Sequence, residues 1–158
     1  MIEVGKLAPD WTVTLADGTP LSRNDLAGVA HVVYFYPKAD TPGCTNEAKD
    51  FTALAGAFAG AGVRIIGISK DPSKRLAKFA DKYGLAVTLG SDAGEGEGGG
   101  HMTEDFGAWV EKSLYGRTYM GIERCTFLFG ADGAVVQVWR RVRVRGHADA
   151  VLAAAQVL

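Results

Sequence analysis

Cysteine is scarce in this sequence: its 158 residues include only Cys44 and Cys125, and no Cys-x-x-Cys pair occurs. Two distant cysteines do not make the disulfide framework of a small secreted domain or a zinc site of clustered thiolates. An excess of one charge is also missing, because 17 basic residues face 18 acidic ones and the net charge is -1. This balance gives no electrostatic reason to expect a nucleic-acid partner.

Long apolar runs are absent as well. No stretch approaches the roughly 20 apolar residues that a membrane span needs, and the start, Met-Ile-Glu-Val-Gly-Lys, lacks the pattern of a signal peptide. We therefore expect no membrane partner and a cytoplasmic location. The apolar fraction of 47% and the charged fraction of 22% are ordinary for a soluble globular protein. The length suits one domain over residues 1–158.

Strand and helix patterns alternate along the chain. Strands are predicted at residues 31–36, 63–69 and 87–89, with hairpins at 11–21 and 125–139. Helices are predicted at residues 42–60, 71–83, 102–110 and 147–158. The basic run at 140–145 alternates with valine and is interpreted as the solvated side of an edge strand. The sequence thus predicts an α/β fold, a central mixed β-sheet flanked by helices with an N-terminal β-hairpin extension.

The junction between the first central strand and its helix carries the clearest chemical signal. Pro37 ends the strand, Thr41 fits the helix N-cap, and Cys44 falls in the first turn. Cys44 also begins an apolar helical face that continues through Ala48, Phe51, Ala55 and Phe58. A helix N-terminus favours the reactive thiolate, whereas burial opposes it, so a cation is needed as well. The residues alone leave two interpretations open, a reactive cysteine and a structural core cysteine.

Residues 37–45, Pro-Lys-Ala-Asp-Thr-Pro-Gly-Cys-Thr, resemble the peroxiredoxin signature, in which three residues separate proline from threonine and two separate threonine from cysteine. More narrowly, the chain resembles the Q-type or bacterioferritin comigratory protein subfamily, and the similarity extends to residues 115–128. This resemblance implies a thioredoxin-like domain and a thiol-dependent peroxidase. Such an enzyme reduces hydrogen peroxide and organic hydroperoxides through a sulfenic acid intermediate, without a cofactor or metal.

The resemblance also implies a role for each site residue. Cys44 would attack the peroxide O–O bond as a thiolate, and the Thr41 hydroxyl would hydrogen-bond the thiolate and the peroxide. Arg124 would supply the cation, and Pro37 would shield the site from water. The backbone N–H groups of Gly43 and Cys44 would point at the peroxide. The simpler alternatives are that Thr41 is only a cap, Pro37 only ends a strand and Arg124 is solvated.

The sequence departs from its family where a second thiol is expected. Many Q-type enzymes carry a resolving cysteine at the position of Lys49, and others at that of Ala80. If Arg124 faces the Cys44 pocket, as the resemblance implies, strand alternation points the next residue, Cys125, to the opposite face of the sheet. We therefore expect a one-cysteine mechanism, in which thioredoxin or a low-molecular-weight thiol is the reductant and the protein is a monomer or weak homodimer. The alternative is a redox sensor or relay, in which Cys44 oxidation is passed to a partner protein.

Three further groups of residues have weaker signals. The glycine-rich segment 92–101 predicts a mobile loop, and a metal site there is the less favoured interpretation of Glu95, Glu97 and His101. Trp109, Tyr115 and Tyr119 either line a substrate mouth or pack the core. No histidine is assigned to catalysis; His31 is placed at a strand start and His147 at a helix start.

Overall fold

The computed structural model describes residues 2–96 and 99–158. Its strands are β1 (Thr12–Leu15), β2 (Pro20–Ser22), β3 (Ala30–Phe35), β4 (Val63–Ser69), β5 (Thr88–Ser91), β6 (Trp109–Leu114), β7 (Arg117–Ile122), β8 (Cys125–Phe129) and β9 (Val135–Trp139). Its helices are α1 (Pro42–Ala53), α2 (Ala55–Gly60), α3 (Ser73–Tyr83), α4 (Met102–Asp105) and α5 (His147–Ala155), with a 3-10 turn at Arg23–Leu26.

Seven strands form one sheet in the order β2-β1-β5-β4-β3-β8-β9. The three central strands β3, β4 and β5 are parallel to one another, and the outer pairs are antiparallel. The predicted mixed sheet is therefore confirmed, and the N-terminal hairpin is an arm of that sheet, with Val13 opposite Leu21. The long apolar strands fall in the centre because both of their faces are covered.

The central strand β3 divides the interior into two apolar clusters, one on each face of the sheet. Val32 and Tyr34 belong to the cluster that contains Cys44 and the inner faces of α1, α3 and α5. Val33 and Phe35 belong to the opposite cluster, which contains Cys125. This alternation follows from the two-residue period of a strand. The sheet itself therefore lies between the two cysteine side chains.

The helix predicted from residue 42 to residue 60 is interrupted. Leu54 adopts φ -99° and ψ 4°, which ends α1 at Ala53 and starts α2 at Ala55. Gly56 and Gly60 lower the helix propensity of this second half, so a short separate helix replaces the last turns. The predicted apolar face nevertheless holds, because Phe51 and Phe58 are both fully buried.

Two predictions downstream of β5 are wrong. The helix expected to reach Val110 ends at Asp105, and Trp109 instead begins the ribbon β6–β7, whose tip Tyr115-Gly116 has positive φ at both positions. Such a tip suits a two-residue hairpin, and aromatic and β-branched residues favour a strand. The basic run at 140–145 is not an edge strand, because β9 ends at Trp139 and Arg141 has φ 47°.

Candidate active site

The loop that follows β3 is fastened to α3 and to the segment before it. The Ala39 amide donates a hydrogen bond of 2.8 Å to Asp71 Oδ2. Asp40, with φ 61°, accepts a hydrogen bond of 2.6 Å from the Tyr83 hydroxyl and one of 3.0 Å from Lys82 Nζ. These contacts from Tyr83 and Lys82 lower the pKa of Asp40. The loop therefore leads into α1 along one fixed path.

Thr41 occupies the predicted N-cap position, but its hydroxyl does not cap the helix. The Oγ1 atom donates a 2.7 Å hydrogen bond to the Lys38 carbonyl oxygen. A threonine hydroxyl has one proton to donate, so in this structure Thr41 has none for Cys44. The expected donation from Thr41 to the thiolate is absent from this geometry, and the hydroxyl oxygen keeps its acceptor capacity.

The structure brings Arg124 to Cys44 from 80 residues away. Arg124 lies between β7 and β8, and its Nη2 atom is 3.4 Å from Cys44 Sγ. The adjoining Nη1 atom donates a 2.7 Å hydrogen bond to Glu47 Oε1, and the Arg124 carbonyl accepts a bond from the Val142 amide. A Cβ on Gly43 would lie 3.2 Å from Nη2. The absence of a side chain at Gly43 thus gives the guanidinium room beside the cysteine.

Glu47 is the site residue that the sequence analysis missed. Its side chain is 1% exposed, and burial raises its pKa to about 7 although Arg124 acts in the opposite direction. Its Oε2 atom has no hydrogen-bond partner among the described residues. For Arg124, burial lowers the pKa, but Glu47 and Cys44 outweigh it and the net pKa is raised. The available signal was spacing, because Glu47 lies three residues after Cys44 and so near the same helix face.

Two buried tyrosines, Tyr34 in β3 and Tyr36 directly after it, lie on the same side of the sheet as the cysteine. Tyr34 and Tyr36 belong to the same apolar cluster as Cys44, and their hydroxyls have no partner among the described residues. Burial raises the pKa of both phenols, so both stay neutral. Within residues 2–96 and 99–158, the charged contact of the Cys44 sulfur is therefore Arg124, which is paired in turn with Glu47.

Cys125 is placed where strand alternation predicted. It begins β8, belongs to the cluster on the other face of the sheet and is fully buried. Burial raises the pKa of its thiol to about 12, so it remains protonated at neutral pH. Both cysteines are free. The two thiols are not brought together, because the sheet separates them.

Pro37 lies at the surface, at the rim of a cleft of about 430 Å³. The cleft is lined by Pro37, Lys38, Lys70, Asp71, Pro72, Trp109, Lys112, Tyr119, Met120, Gly121 and Ile122. Trp109 and Tyr119 thus line a cleft next to the Cys44 loop. Tyr115, at the ribbon tip, is 96% exposed and lines neither this cleft nor the core.

The histidines and the glycine-rich segment have structural contacts of their own. His31 lies in β3 and stacks on Phe129, and His147 begins α5 and shares a 2.8 Å hydrogen bond with Thr126. Glu95 accepts hydrogen bonds from the backbone amide and the hydroxyl of Ser73. No group of metal ligands occurs among residues 2–96 and 99–158. Glu97, one of the alternative metal ligands, lies outside the described residues.

A family model described as "AhpC/TSA family" matches residues 4–138, and this chain belongs to that family. The chain is 44% identical to "Peroxiredoxin Bcp" of Xanthomonas campestris, over 98% of this chain and 93% of the relative. It is 39% identical to "Peroxiredoxin Bcp" of Escherichia coli K12, over 96% and 94%. The resemblance to Q-type peroxiredoxins is thereby confirmed.

Solved structures agree with these relatives. A Xanthomonas campestris bacterioferritin comigratory protein, whose structure is described in terms of alkyl peroxide reduction, superposes with a TM-score of 0.87 at 43% identity, covering 99% of this chain and 97% of the other. A mutant of PrxQ from Xylella fastidiosa gives 0.91 at 30% identity, with coverage of 99% and 97%. The thioredoxin-like fold is confirmed. Among the described residues, no helix has the length and apolarity that crossing a membrane requires.

Proposed function

We propose that this protein reduces hydrogen peroxide and organic hydroperoxides by a one-cysteine mechanism, in which Cys44 is the attacking thiolate and an external thiol completes the cycle. Thiol-dependent peroxidase activity is supported by the peroxiredoxin relatives and by the alkyl peroxide reduction of the Xanthomonas protein. The single observation that carries the assignment of Cys44 is its Sγ atom, 3.4 Å from Arg124 Nη2 at the start of α1.

The chemical step moves negative charge from sulfur to oxygen. The Cys44 thiolate attacks one peroxide oxygen, the O–O bond breaks, and the leaving alkoxide or hydroxide takes up a proton. The products are an alcohol or water and a sulfenic acid on Cys44. Donors aimed at the developing charge accelerate such a step. Arg124 supplies one N–H group, and the first amides of α1, at Gly43 and Cys44, have no helical acceptor and supply others.

Thr41 and Pro37 assist the reaction without donating a hydrogen bond to the sulfur. The Thr41 hydroxyl donates to the Lys38 carbonyl, so its oxygen is free to accept a hydrogen bond from the peroxide O–H group. This arrangement orients the peroxide with its O–O bond directed at Cys44. Pro37 covers the rim of the site with a ring that offers no N–H to water.

Glu47 acts as a positioning residue. Its 2.7 Å bond to Nη1 leaves Nη2 of Arg124 directed at the Cys44 sulfur. A planar guanidinium can contact two groups at once in this way, whereas a lysine ammonium cannot keep the same fork geometry. Because the pKa of Glu47 is raised to about 7, its negative charge competes only partly with the thiolate for Arg124 near neutral pH.

The return of the sulfenic acid to a thiol requires another molecule. Lys49 is exposed, Ala80 has no sulfur, and Cys125 lies across the sheet. One external thiol condenses with the Cys44 sulfenic acid, forming a mixed disulfide and releasing water. A second thiolate attacks this disulfide and frees Cys44. A thioredoxin-type protein and a low-molecular-weight thiol both satisfy this chemistry.

A redox sensor or relay is the second candidate, and the missing resolving thiol is the observation that favours it. In that case the oxidised Cys44 would be recognised by a partner protein or would pass its oxidation to that partner, and catalytic turnover of peroxide would be minor. Steady-state peroxide consumption with several thiol donors separates the candidates. Many turnovers per Cys44 indicate the peroxidase, and a single turnover that stalls with every donor indicates the sensor.

The assignment of Cys44 is tested with Cys44→Ser, and Cys125→Ser is the matched control. Peroxidase turnover should vanish in the first variant and persist in the second. Non-reducing mass spectrometry after one equivalent of peroxide should find one added oxygen on Cys44. Activity that survives Cys44→Ser contradicts the attacking role, and an intramolecular Cys44–Cys125 bridge contradicts the one-cysteine mechanism.

A further inference from the structure

A small cavity lies at the end of the sheet opposite to the cysteine site. His31, near the start of β3, lines this cavity and pairs with Phe129 at the end of β8. The loop that leads to Cys44 begins at Pro37, beyond the other end of β3. His31 and Pro37 are separated by roughly 20 Å of extended chain, at about 3.3 Å per residue. The cavity is therefore distinct from the place where Cys44 is oxidised.

Apolar side chains form the inner wall of this cavity, which has a volume of about 190 Å³. Trp11, Leu26 and Phe129 are among its lining residues, and all three are buried. Leu7 and Asp132 also line it and are exposed, so the cavity opens to solvent on their side. A cavity of about 150 Å³ is large enough to hold benzene. This one therefore has room for a molecule built on a single aromatic ring.

His31 adds one hydrogen-bond acceptor to this apolar wall. Its ring stacks on Phe129 with the centroids 4.7 Å apart, and its Nδ1 atom lies 2.8 Å from the Val29 carbonyl oxygen. A carbonyl oxygen can only accept a hydrogen bond, so Nδ1 carries the proton of the neutral ring and Nε2 is an acceptor. Burial lowers the pKa of His31, which keeps the ring neutral near pH 7.

The Nε2 atom of His31 accepts no hydrogen bond from any residue in the part of the chain that the structure describes. The His31 side chain is only 3% exposed. A buried acceptor without a partner raises the free energy of the folded state. A ligand that enters the cavity and donates a hydrogen bond to Nε2 removes this cost, whereas a ligand without a donor leaves it in place.

The other polar side chains that line the cavity are paired or lie at its mouth. Arg23 donates to the Ala8 carbonyl oxygen, and its Nη2 atom lies 2.6 Å from Asp10 Oδ1. Asn24 and Asp132 are exposed. The Asp132 carboxylate repels an anion that approaches the mouth. The cavity thus favours an uncharged ligand over a carboxylate.

We propose that this cavity binds a small uncharged aromatic molecule of the phenol class, whose hydroxyl donates a hydrogen bond to His31 Nε2. The aromatic ring of the ligand packs against Trp11 and Leu26, and aromatic pairs favour offset or edge-to-face contact. Binding is non-covalent and involves neither Cys44 nor peroxide. The site is therefore independent of the proposed function, and it can be tested without measuring turnover.

The test compares phenol with anisole, its methyl ether, which has the same ring and no hydrogen-bond donor. In NMR titrations of the whole protein, phenol should shift the signals of His31 and Trp11 until they saturate. It should bind more tightly than anisole by roughly twofold to tenfold, the net value of one hydrogen bond. Benzoate should bind more weakly than either. In the wild type, phenol should also move the ¹⁵N signal of Nε2 and leave Nδ1 protonated.

Variants locate the selectivity. His31→Phe keeps a ring that can stack on Phe129 and removes the acceptor, so the ratio of phenol to anisole affinity should fall to about one. His101→Phe, which replaces an exposed histidine outside the cavity, should keep the wild-type ratio. Cys44→Ser should keep it as well, because the cavity lies at the other end of β3.

Specific outcomes overturn the proposal. Equal affinity for phenol and anisole in the wild type would show that Nε2 receives no hydrogen bond from the ligand. Shifts that do not saturate, or that leave His31 and Trp11 unmoved, would exclude binding in this cavity. An unchanged phenol-to-anisole ratio in folded His31→Phe would exclude His31 as the acceptor. Should that variant fail to fold, the ¹⁵N signal of Nε2 in the wild type decides, and an unmoved signal at saturating phenol overturns the proposal.

Discussion

Replacing Arg124 with methionine removes the only cation in contact with Cys44 among the described residues, and it also removes the partner of a buried carboxylate. The guanidinium spans 3.4 Å to Cys44 Sγ and 2.7 Å to Glu47 Oε1. Methionine has a similar length and no charge, so it fills the space and supplies no hydrogen bond. The variant therefore changes both the chemistry and the stability, and the two effects have different dependences on pH.

The stability effect follows from Glu47. Its pKa in the folded protein, about 7, lies above the ordinary value of 4.5. Between these two pH values the folded state keeps a proton that the unfolded state has lost, so the free energy of unfolding falls as pH rises through this window. In Arg124→Met the opposing cation is gone, the pKa of Glu47 rises further, and the loss continues above pH 7.

The size of this loss can be bounded. Removing one partner of a buried ion pair costs about 3–5 kcal/mol when the other stays charged. Losing hydrogen bonds to a neutral buried group costs about 1–3 kcal/mol. We expect Arg124→Met to lower the free energy of unfolding by about 1–3 kcal/mol at about pH 5.5, where Glu47 is mostly neutral. At about pH 8 the loss should approach about 3–5 kcal/mol.

A second variant separates stability from chemistry. In Glu47→Gln/Arg124→Met neither charged partner of this pair remains, so the variant's own free energy of unfolding, measured in urea, should lack the fall with rising pH that Glu47 causes in the wild type and in Arg124→Met. The rate of Cys44 oxidation, measured by stopped-flow competition for peroxide, should be lower by roughly 100- to 1,000-fold in both variants, since an aimed donor is missing in both. Glu47→Gln alone should retain most of the rate, because the amide oxygen can still accept from Nη1.

A rate in the double variant near that of the wild type would contradict the role of Arg124 as a donor to the reacting atoms. Arg124 would then act only by neutralising Glu47. Equal destabilisation of Arg124→Met at both pH values would show that Glu47 is not the group whose titration changes the stability. Far-UV circular dichroism of each variant confirms that the rates compare folded proteins.

Three other perturbations test neighbouring parts of the site. Cys125→Ser should leave peroxide turnover within about twofold, because a thiol with a pKa of about 12 is not a nucleophile at neutral pH; intact-mass analysis should still find the added oxygen on Cys44. Gly43→Ala places a Cβ 3.2 Å from the guanidinium and should lower kcat/KM roughly tenfold, whereas Gly56→Ala meets open space and should not. Tyr83→Phe removes a donor to the loop aspartate and should weaken the hydrogen-exchange protection of the loop amides; unchanged protection would contradict this role.

The local parts of the site were predictable because they depend on neighbours in the chain. Pro37 ends a strand, Pro42 starts a helix, and the apolar spacing after Cys44 turns the thiol inward. These inferences need only the local patterns of helix and strand, which the sequence carries directly. The opposite orientation of Cys125 followed from strand alternation once the resemblance had assigned Arg124 to the Cys44 pocket.

The parts that depend on distant contacts were not predictable in the same way. Only the family resemblance nominated Arg124, because nothing in the residues between them fixes its distance from Cys44. Glu47 was missed, since a carboxylate on a helix is ordinarily solvated and its burial depends on α1 packing against the sheet. The ribbon β6–β7 was missed because Met102 begins a true helical turn, and Gly107, with φ 70°, then redirects the chain.

The absence of a resolving thiol also bears on how the loop is held. Lys49, at a position where many Q-type enzymes carry that thiol, has its Nζ 5.1 Å from the centroid of the Tyr83 ring, and the Tyr83 hydroxyl holds Asp40. An intramolecular disulfide would require this region to open so that two sulfurs could meet. A one-cysteine cycle needs no such opening, and the contacts of Tyr83 oppose it. Cys44 is 2% exposed, so the sulfur offers very little surface to either peroxide or reductant. It follows that peroxide and reductant should compete for access to Cys44.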